Sequence, residues 1–174
     1  VLIEWRSIIN CERSYGEAFL MGLLYAFIGL NIQHDANHGA LSNNSKVNEY
    51  IGYTQNYIGG SALMWMYQHI VLHHQFTNNT DFDPDIQGGG LVRLYKEKTQ
   101  PRWYHKYQNK YVIFLESLYG YLIISITPIE LYMNRYGLIY KLPDVVNKWR
   151  KRETIMNILF LVRFFVLPYL LFND

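Results

Sequence analysis

The chain of 174 residues is 50% hydrophobic, 17% aromatic and 17% charged, and its net charge is +2. These proportions exclude a disordered chain, and the small net charge excludes the concentrated basic face that nucleic-acid binding requires, so we expect no nucleic-acid partner. The single cysteine, Cys11, excludes an internal disulfide and a paired-cysteine metal site. Any metal ligand must therefore be His, Asp, Glu or Asn.

Long apolar blocks alternate with a polar middle, so the mean hydropathy of −0.09 does not decide whether the chain enters a membrane. Three blocks predict membrane segments at about 15–32, 111–133 and 154–172. A helix of about 18 residues is roughly 27 Å long, close to the hydrocarbon thickness of about 30 Å, so the first block can span with little tilt. The alternative is a soluble bundle with buried core helices, which blocks of this length disfavour.

Polar residues interrupt the second and third blocks. The second contains Glu116, Pro128 and Glu130, and the third carries Arg163 near its middle. An arginine at that depth is costly unless it faces protein or reaches an interface.

The orientation of the blocks is ambiguous by the positive-inside rule. Residues 33–110 carry seven Lys and Arg, and the much shorter stretch 134–153 carries six. Both loops therefore favour the cytoplasmic side, so either the block at 111–133 is re-entrant or interfacial, or the rule fails for one loop.

Five of the six histidines fall in two clusters, HDANH and HIVLHH, and the first directly follows an apolar block. Residues four apart stack on one helix face, so each cluster can aim two imidazoles at one point, with the last histidine about 100° further round. Two such helices side by side would offer five nitrogen ligands. The ligand candidates are His34, His38, His69, His73 and His74.

Five histidines without a cysteine fit a two-metal site better than a zinc finger, since imidazole suits iron as well as zinc. A zinc peptidase motif would need Glu directly after the first histidine, where this chain has Asp35 and Ile70. A metal held by these clusters would lie at the bilayer surface, within reach of a lipid chain.

The sequences QHDANHGALS and YQHIVLHHQFTNNTDFDPDI resemble the membrane fatty acid desaturases, particularly the front-end type (delta-5, delta-6 or delta-4-like). The first two histidine boxes match, as do the Gly-Gly pair before the second box and the Asp-Pro-Asp after it. The resemblance implies an all-α, multi-pass membrane protein with a di-iron helical cap on the cytosolic face, residence in the endoplasmic reticulum, and the clustered histidines as iron ligands.

The same resemblance implies the reaction and its partners. Two iron ions would activate dioxygen and introduce a double bond into an unsaturated fatty acyl chain held in the bilayer, as in polyunsaturated fatty acid synthesis. Electrons would come from cytochrome b5 and its reductase. The same boxes also serve membrane lipid hydroxylases and sphingolipid desaturases, which stay open as alternatives, as does an inactive truncated product.

The third histidine box of the family is absent from residues 1–174, as is the cytochrome b5 motif. The chain also starts at Val1 without a visible leader and stops at Asp174 directly after an apolar block. We therefore expect residues 1–174 to be an incomplete desaturase domain. Because five ligands do not saturate two irons, we expect this piece alone to be inactive.

Other residues near the boxes are candidates for supporting roles. Carboxylates and amides that accept the second ring N–H of a metal-bound histidine fix its tautomer, and the candidates here are Asp35, Asn37, Asp83 and Asp85. The alternative for the two later aspartates is a turn, because DFDP has turn composition. An acyl channel could be lined by Trp65, Met66 and Tyr67, for which an interfacial aromatic belt is the alternative. The lone His105 is more typical of an interfacial or supporting residue than of a ligand.

Overall fold

The computed structural model describes residues 4–6, 14–86, 90–95, 100–136 and 140–172. Within these ranges the secondary structure is helical apart from one two-stranded hairpin. The helices are α1 (Tyr15–Asn37), α2 (Ser45–Gly52), α3 (Thr54–Tyr57), α4 (62–76), α5 (Trp103–Met133) and α6 (Asp144–Leu171). A short 3₁₀ turn lies at Pro84–Ile86, and the strands are β1 (Arg135–Tyr136) and β2 (Tyr140–Lys141), which pair antiparallel.

Three of the helices are not uniform α-helices, because each contains a segment of π-helix. The π segments are Ile28–Ile32 in α1, Tyr67–His73 in α4 and Val162–Val166 in α6. A π turn holds one more residue than an α turn, so side chains beyond it are shifted around the helix axis. Two of the three segments border or contain a histidine cluster.

The long helices α1, α5 and α6 are each long and apolar enough to cross a membrane. The predicted segments at 15–32, 111–133 and 154–172 are helical throughout and belong to these three helices, since the helical residues of α6 continue to Phe172. The helix α5 continues through Pro128 and ends at Asn134, whose φ of 54° is the left-handed conformation typical of a helix C-cap. The predicted all-α membrane fold is therefore confirmed.

The chain divides into two compact units, residues 1–62 with 147–174 (the first unit) and residues 63–146 (the second unit). The core of the second unit is formed by Met64, Leu131 and Leu142. In the first unit, the buried Glu153 carboxylate accepts hydrogen bonds of 2.7 Å from both Asn56 Nδ2 and Ser61 Oγ. These bonds attach α6 to the segment that leads from α3 into α4.

Arg163 in α6 faces protein, so its charge is not exposed to the apolar surroundings of the helix. Its Nε lies 3.0 Å from Glu4 Oε1, and its guanidinium packs 3.6 Å from the centroid of the Tyr57 ring. Glu4 is only 6% exposed and also accepts hydrogen bonds from the hydroxyls of Tyr25 and Tyr57. Because the two charges are paired and hydrogen-bonded, the desolvation cost of burying each of them is offset.

Candidate metal centre

The first histidine cluster occupies the last turn of α1 in the first unit. The rings of His34 and His38 lie with centroids 4.6 Å apart, as expected for residues four apart. His34 Nδ1 lies 2.9 Å from Asp35 Oδ1. An ionised carboxylate only accepts, so Nδ1 carries the proton and Nε2 is left as the nitrogen that can ligate a metal.

Asn37 is fixed by packing and by hydrogen bonding to the same turn. Its Nδ2 donates to Oε1 of the buried Gln33, whose own Nε2 donates to the carbonyl of Gly29 at 2.6 Å. The Oδ1 of Asn37 occupies the space that a Cβ would need at Gly52. Asn37 therefore connects the histidine-bearing turn to α2, and the absence of a side chain at Gly52 makes this approach possible.

The second cluster lies on α4 in the second unit, where the π segment changes the expected arrangement. A regular α-helix would place His74 about 100° away from His73, on the flank of the face shared by His69 and His73. In the π segment, residues five apart lie one turn apart, and His74 Nε2 lies 3.3 Å from His69 Nε2. The rings of His69 and His73 remain stacked at 5.3 Å. All three histidines therefore form one group.

The separation of the two Nε2 atoms fits a shared metal ion. Two nitrogens that each lie about 2.1 Å from one ion at a tetrahedral angle are about 3.4 Å apart. The 3.3 Å between His69 and His74 is close to this value. Trp65 packs on the His69 ring with a centroid distance of 4.5 Å and restricts its rotation.

Asp83 orients the third member of the group. Its side chain is 0% exposed, and its Oδ1 lies 3.0 Å from His73 Nδ1. The backbone N–H groups of Asn78 and Asp85 also donate to this carboxylate, at 2.8 and 3.0 Å. Burial opposes the charge, but these hydrogen bonds and the nearby His73 hold the pKa of Asp83 below its ordinary value. His73 thus donates from Nδ1 and keeps Nε2 as its ligating atom.

Asp85 lies between two histidines. Its Oδ2 is 3.5 Å from Nδ1 of both His69 and His73, and its Oδ1 accepts a 2.8 Å hydrogen bond from Gln68 Nε2. Together with His69 and His73 it also forms a group whose ligand atoms lie within 4.8 Å of one another. The structure therefore allows two roles for Asp85, orientation of the imidazoles or direct ligation.

A cleft of about 790 Å³ in the second unit begins at Gln68 and Asp85. Its apolar walls come from α5 and from the segment at 91–94, and include Leu91, Leu94, Leu115, Leu118 and Leu122. Of the predicted channel residues, Trp65 contacts His69 and Tyr67 packs against Tyr136 with a centroid distance of 5.6 Å. Met66 is half-buried beside them on α4. None of these three residues lines the cleft, whose border also includes Glu116 and Tyr119, so their role in an acyl channel stays a prediction.

The sixth histidine, His105, is buried and has both ring nitrogens bonded. Its Nδ1 accepts from the backbone N–H of Arg102 at 3.0 Å, so Nε2 carries the proton and donates to the carbonyl of Gly90 at 3.0 Å. The hydroxyl of Tyr111 adds a 2.7 Å bond to the carbonyl of Leu91. His105 therefore fixes one wall of the cleft to the start of α5.

The family model described as fatty acid desaturase matches residues 15–174. The chain belongs to the fatty acid desaturase family. The resemblance that the histidine boxes carry is thereby confirmed, and the match includes both clusters, the turn around Asp83 and all three membrane-length helices.

Several characterised desaturases are similar to this chain. An acyl-lipid (7-3)-desaturase of Diacronema lutheri is 43% identical over 111 residues, which cover 64% of this chain and 25% of that protein. A protein of the same name from Rebecca salina is 42% identical and is matched over 68% of this chain and 26% of its own length. An sn-1 linoleoyl-lipid 6-desaturase of Arthrospira platensis is 35% identical over 65% of this chain and 28% of its own length. This desaturase chain thus spans about a quarter of these relatives, and no solved structure matches it.

Two residues of this desaturase site were missed by sequence reasoning. Gln68 holds Asp85, and Asn78 adopts a left-handed φ of 63° that turns its N–H toward Asp83. The Asn78-Asn79 pair was a usable signal, because Asn tolerates this conformation better than other non-glycine residues. Gln68 carried no such signal, since its role depends on a contact across the turn.

Proposed function

We propose that the desaturase to which this chain belongs introduces a double bond into a lipid acyl chain, using iron held by His34, His38, His69, His73 and His74. The observation that carries the proposal is the 3.3 Å separation of the His69 and His74 Nε2 atoms beside the carboxylate-held His73. When bound, the metal supplies the dioxygen chemistry that removes hydrogen from an unactivated methylene pair, which no ordinary side chain can do.

The protein's own contribution is to hold the ligating nitrogens in the correct protonation state. Asp35 and Asp83 accept from Nδ1 of His34 and His73, so each of these rings presents an unprotonated Nε2. Asp85 Oδ2 lies 3.5 Å from the corresponding nitrogen of His69, and Trp65 limits rotation of that ring. These contacts lower the reorganisation required when the metal binds.

The cleft beside Asp85 supports a lipid substrate. A volume of about 790 Å³ with mainly aliphatic walls is within the usual range for small-molecule sites. An acyl chain placed there would run from the apolar face of α5 toward the histidine group. We assign acyl-chain binding to the cleft in preference to the residues at 65–67, because Trp65 packs on His69 and Tyr67 packs on Tyr136.

The electron donor and the location are proposed from the resemblance to the family. Each double bond requires two electrons in addition to the two removed from the substrate, and cytochrome b5 with its reductase is the proposed donor. The proposed location is the endoplasmic reticulum membrane, with both histidine clusters on the cytosolic face.

The test is expression of the whole protein in yeast supplied with polyunsaturated fatty acids, followed by mass spectrometry of the lipid acyl chains. We expect a new double bond in the wild type and none after His69→Ala, His73→Ala or His74→Ala. Lys46→Gln is the control and should keep activity, because Lys46 is exposed and lies in neither histidine cluster nor the lining of the cleft. Iron content of the purified variants, measured in parallel, separates metal loss from failure to reach the membrane. A hydroxylated product, or activity retained in two of the alanine variants, would contradict the proposal.

A further inference from the structure

A second apolar groove, of about 800 Å³, lies entirely within the first unit. Three helical faces form it. Its lining includes Leu24, Ile28 and Ile32 from α1, Tyr50 and Tyr53 from the α2–α3 region, and Met156 from α6. The three residues of α1 all line the groove, although Ile28 and Ile32 lie in the π segment, so the groove follows residues 24–32 of this membrane-length helix. A groove along such a helix is bordered by the hydrocarbon of the bilayer, and its apolar walls match an acyl chain.

One end of this groove is cationic. The Arg152 guanidinium lies 4.3 Å from the centroid of the Tyr53 ring. Residues 148, 152 and 156 follow one another at four-residue spacing, so Lys148, Arg152 and Met156 share one face of α6. Lys148 is exposed, and its ammonium lies 4.2 Å above the Trp149 ring. Two cationic side chains, Arg152 and Lys148, therefore follow Met156 along the same face of α6.

The charge at this end is not cancelled by the acidic residues nearby. Glu49 lies 3.1 Å from one terminal nitrogen of Arg152 and offsets the single charge of that guanidinium, which keeps further N–H groups as donors. Lys148 forms no ion pair with a carboxylate among the described residues. Glu153 is buried and points to Asn56 and Ser61. The sequence KWRKR at 148–152 adds Arg150 and Lys151, which leaves a net positive charge. A basic and aromatic cluster at the end of a membrane helix is the usual setting for anionic lipid headgroups.

We propose that this groove binds an anionic glycerophospholipid of the surrounding bilayer. One acyl chain would lie along Leu24, Ile28 and Met156. The phosphate would be held just beyond the groove lining by Arg152, which packs on Tyr53, and by Lys148 one turn further along α6. A zwitterionic lipid carries its own cation and gains less from this cationic end. The inference does not depend on the proposed desaturation, because none of the proposed metal ligands lines the groove.

The test uses the 174-residue chain in detergent, with dioleoylphosphatidylglycerol, dioleoylphosphatidylcholine and oleate as probes. Native mass spectrometry measures binding, and the thermal unfolding midpoint measures stabilisation. We expect the phosphatidylglycerol to bind one per chain and to raise the midpoint more than the other two probes do. Lys148→Gln should weaken its binding about fivefold, the effect of roughly 1 kcal/mol per basic residue at a membrane surface.

Three variants keep the result interpretable. Lys148→Arg preserves the charge and should preserve binding. Lys110→Gln removes an exposed lysine of the second unit, which contributes no residue to the groove, and should have no effect. Met156→Trp fills the groove and should weaken binding while leaving the charges in place. Equal binding of phosphatidylcholine, full displacement by equimolar oleate, or unchanged binding in Lys148→Gln would each overturn the proposal. Because no metal is added in this experiment, its failure would leave the desaturase assignment intact.

Discussion

His74 Nε2 lies 3.3 Å from His69 Nε2, although the two residues are five positions apart. Only the π segment at Tyr67–His73 brings them together, because a regular α-helix would direct them to different sides. The spacing H-x-x-x-H-H therefore yields three convergent imidazoles on a backbone that has one extra residue in the turn.

We expect His69→Ala and His74→Ala to be non-additive. If both nitrogens bind the same ion, removing one ligand already abolishes most of the affinity, so the double variant should bind about as poorly as either single variant. Cobalt(II) titration of the purified chain, followed by visible absorption, measures this directly. His105→Gln is the control, because it leaves the α4 histidines unchanged. If the losses of cobalt affinity in the two single variants add up in the double variant, the two rings do not share an ion.

Asp83→Asn should reduce metal affinity by about 10- to 100-fold, the usual effect of losing a carboxylate behind a ligating histidine. The pKa of Asp83 is lowered in the folded chain, so its contribution to stability is present above its unfolded pKa of about 4 and is lost as the pH falls. The free energy of unfolding of Asp83→Asn should therefore depend less on pH than that of the wild type below about pH 4. Chemical denaturation at several pH values measures this.

The control for this prediction is Asp81→Asn, which changes an exposed carboxylate in the same turn. It should leave both the metal affinity and the pH dependence unchanged. If Asp81→Asn and Asp83→Asn changed the metal affinity and the pH dependence of stability equally, the contact between Asp83 and His73 would not be the cause.

Gly52→Ala should destabilise the first unit by about 1–3 kcal/mol, because the new methyl group would overlap Asn37 Oδ1. The expected result is a lower unfolding midpoint and a displaced first histidine turn, since Asn37 lies between His34 and His38. Gly22→Ala is the matched control, because no atom lies within 4 Å of the position its Cβ would occupy. Equal midpoints for Gly52→Ala and the wild type would contradict the close packing of α1 on α2.

Arg163→Leu should destabilise the chain by about 3–5 kcal/mol, the usual cost of removing one partner of a buried ion pair. The loss leaves Glu4 charged and enclosed, with only the tyrosine hydroxyls to stabilise it. Adding Glu4→Gln to Arg163→Leu should recover part of the stability. Thermal unfolding of both single variants and the double variant in detergent measures the coupling, and purely additive losses would rule out a direct pair.

Much of the candidate site was predictable from sequence because the relevant signals are local. The four-residue spacing of His34 and His38 fixes their common face, and apolar length alone indicated three membrane-length helices. The π segments were not predictable, since they have no compositional signature and their effect depends on an additional residue per turn. A period of 3.6 residues therefore placed His74 on the flank of the shared face, whereas the π segment brings it beside His69.

Contacts between distant parts of the sequence were also beyond prediction. Nothing near Arg163 indicated that its partner would be Glu4, and nothing near Glu153 pointed to Asn56. Such pairs become visible only when helices are assembled, because a polar residue in an apolar block specifies the need for a partner but not which partner.

The pairing of Glu4 with Arg163 also has a consequence for biogenesis. During translation Glu4 is made long before α6, so the anion is already in place when the arginine-bearing helix reaches the translocon. An arginine at the centre of an isolated helix adds about 2.5–3.5 kcal/mol to the free energy of insertion. Pairing with Glu4 and stacking on Tyr57 offset this cost once the segments have assembled, so we expect the stability of α6 in the membrane to depend on a residue near the start of the chain.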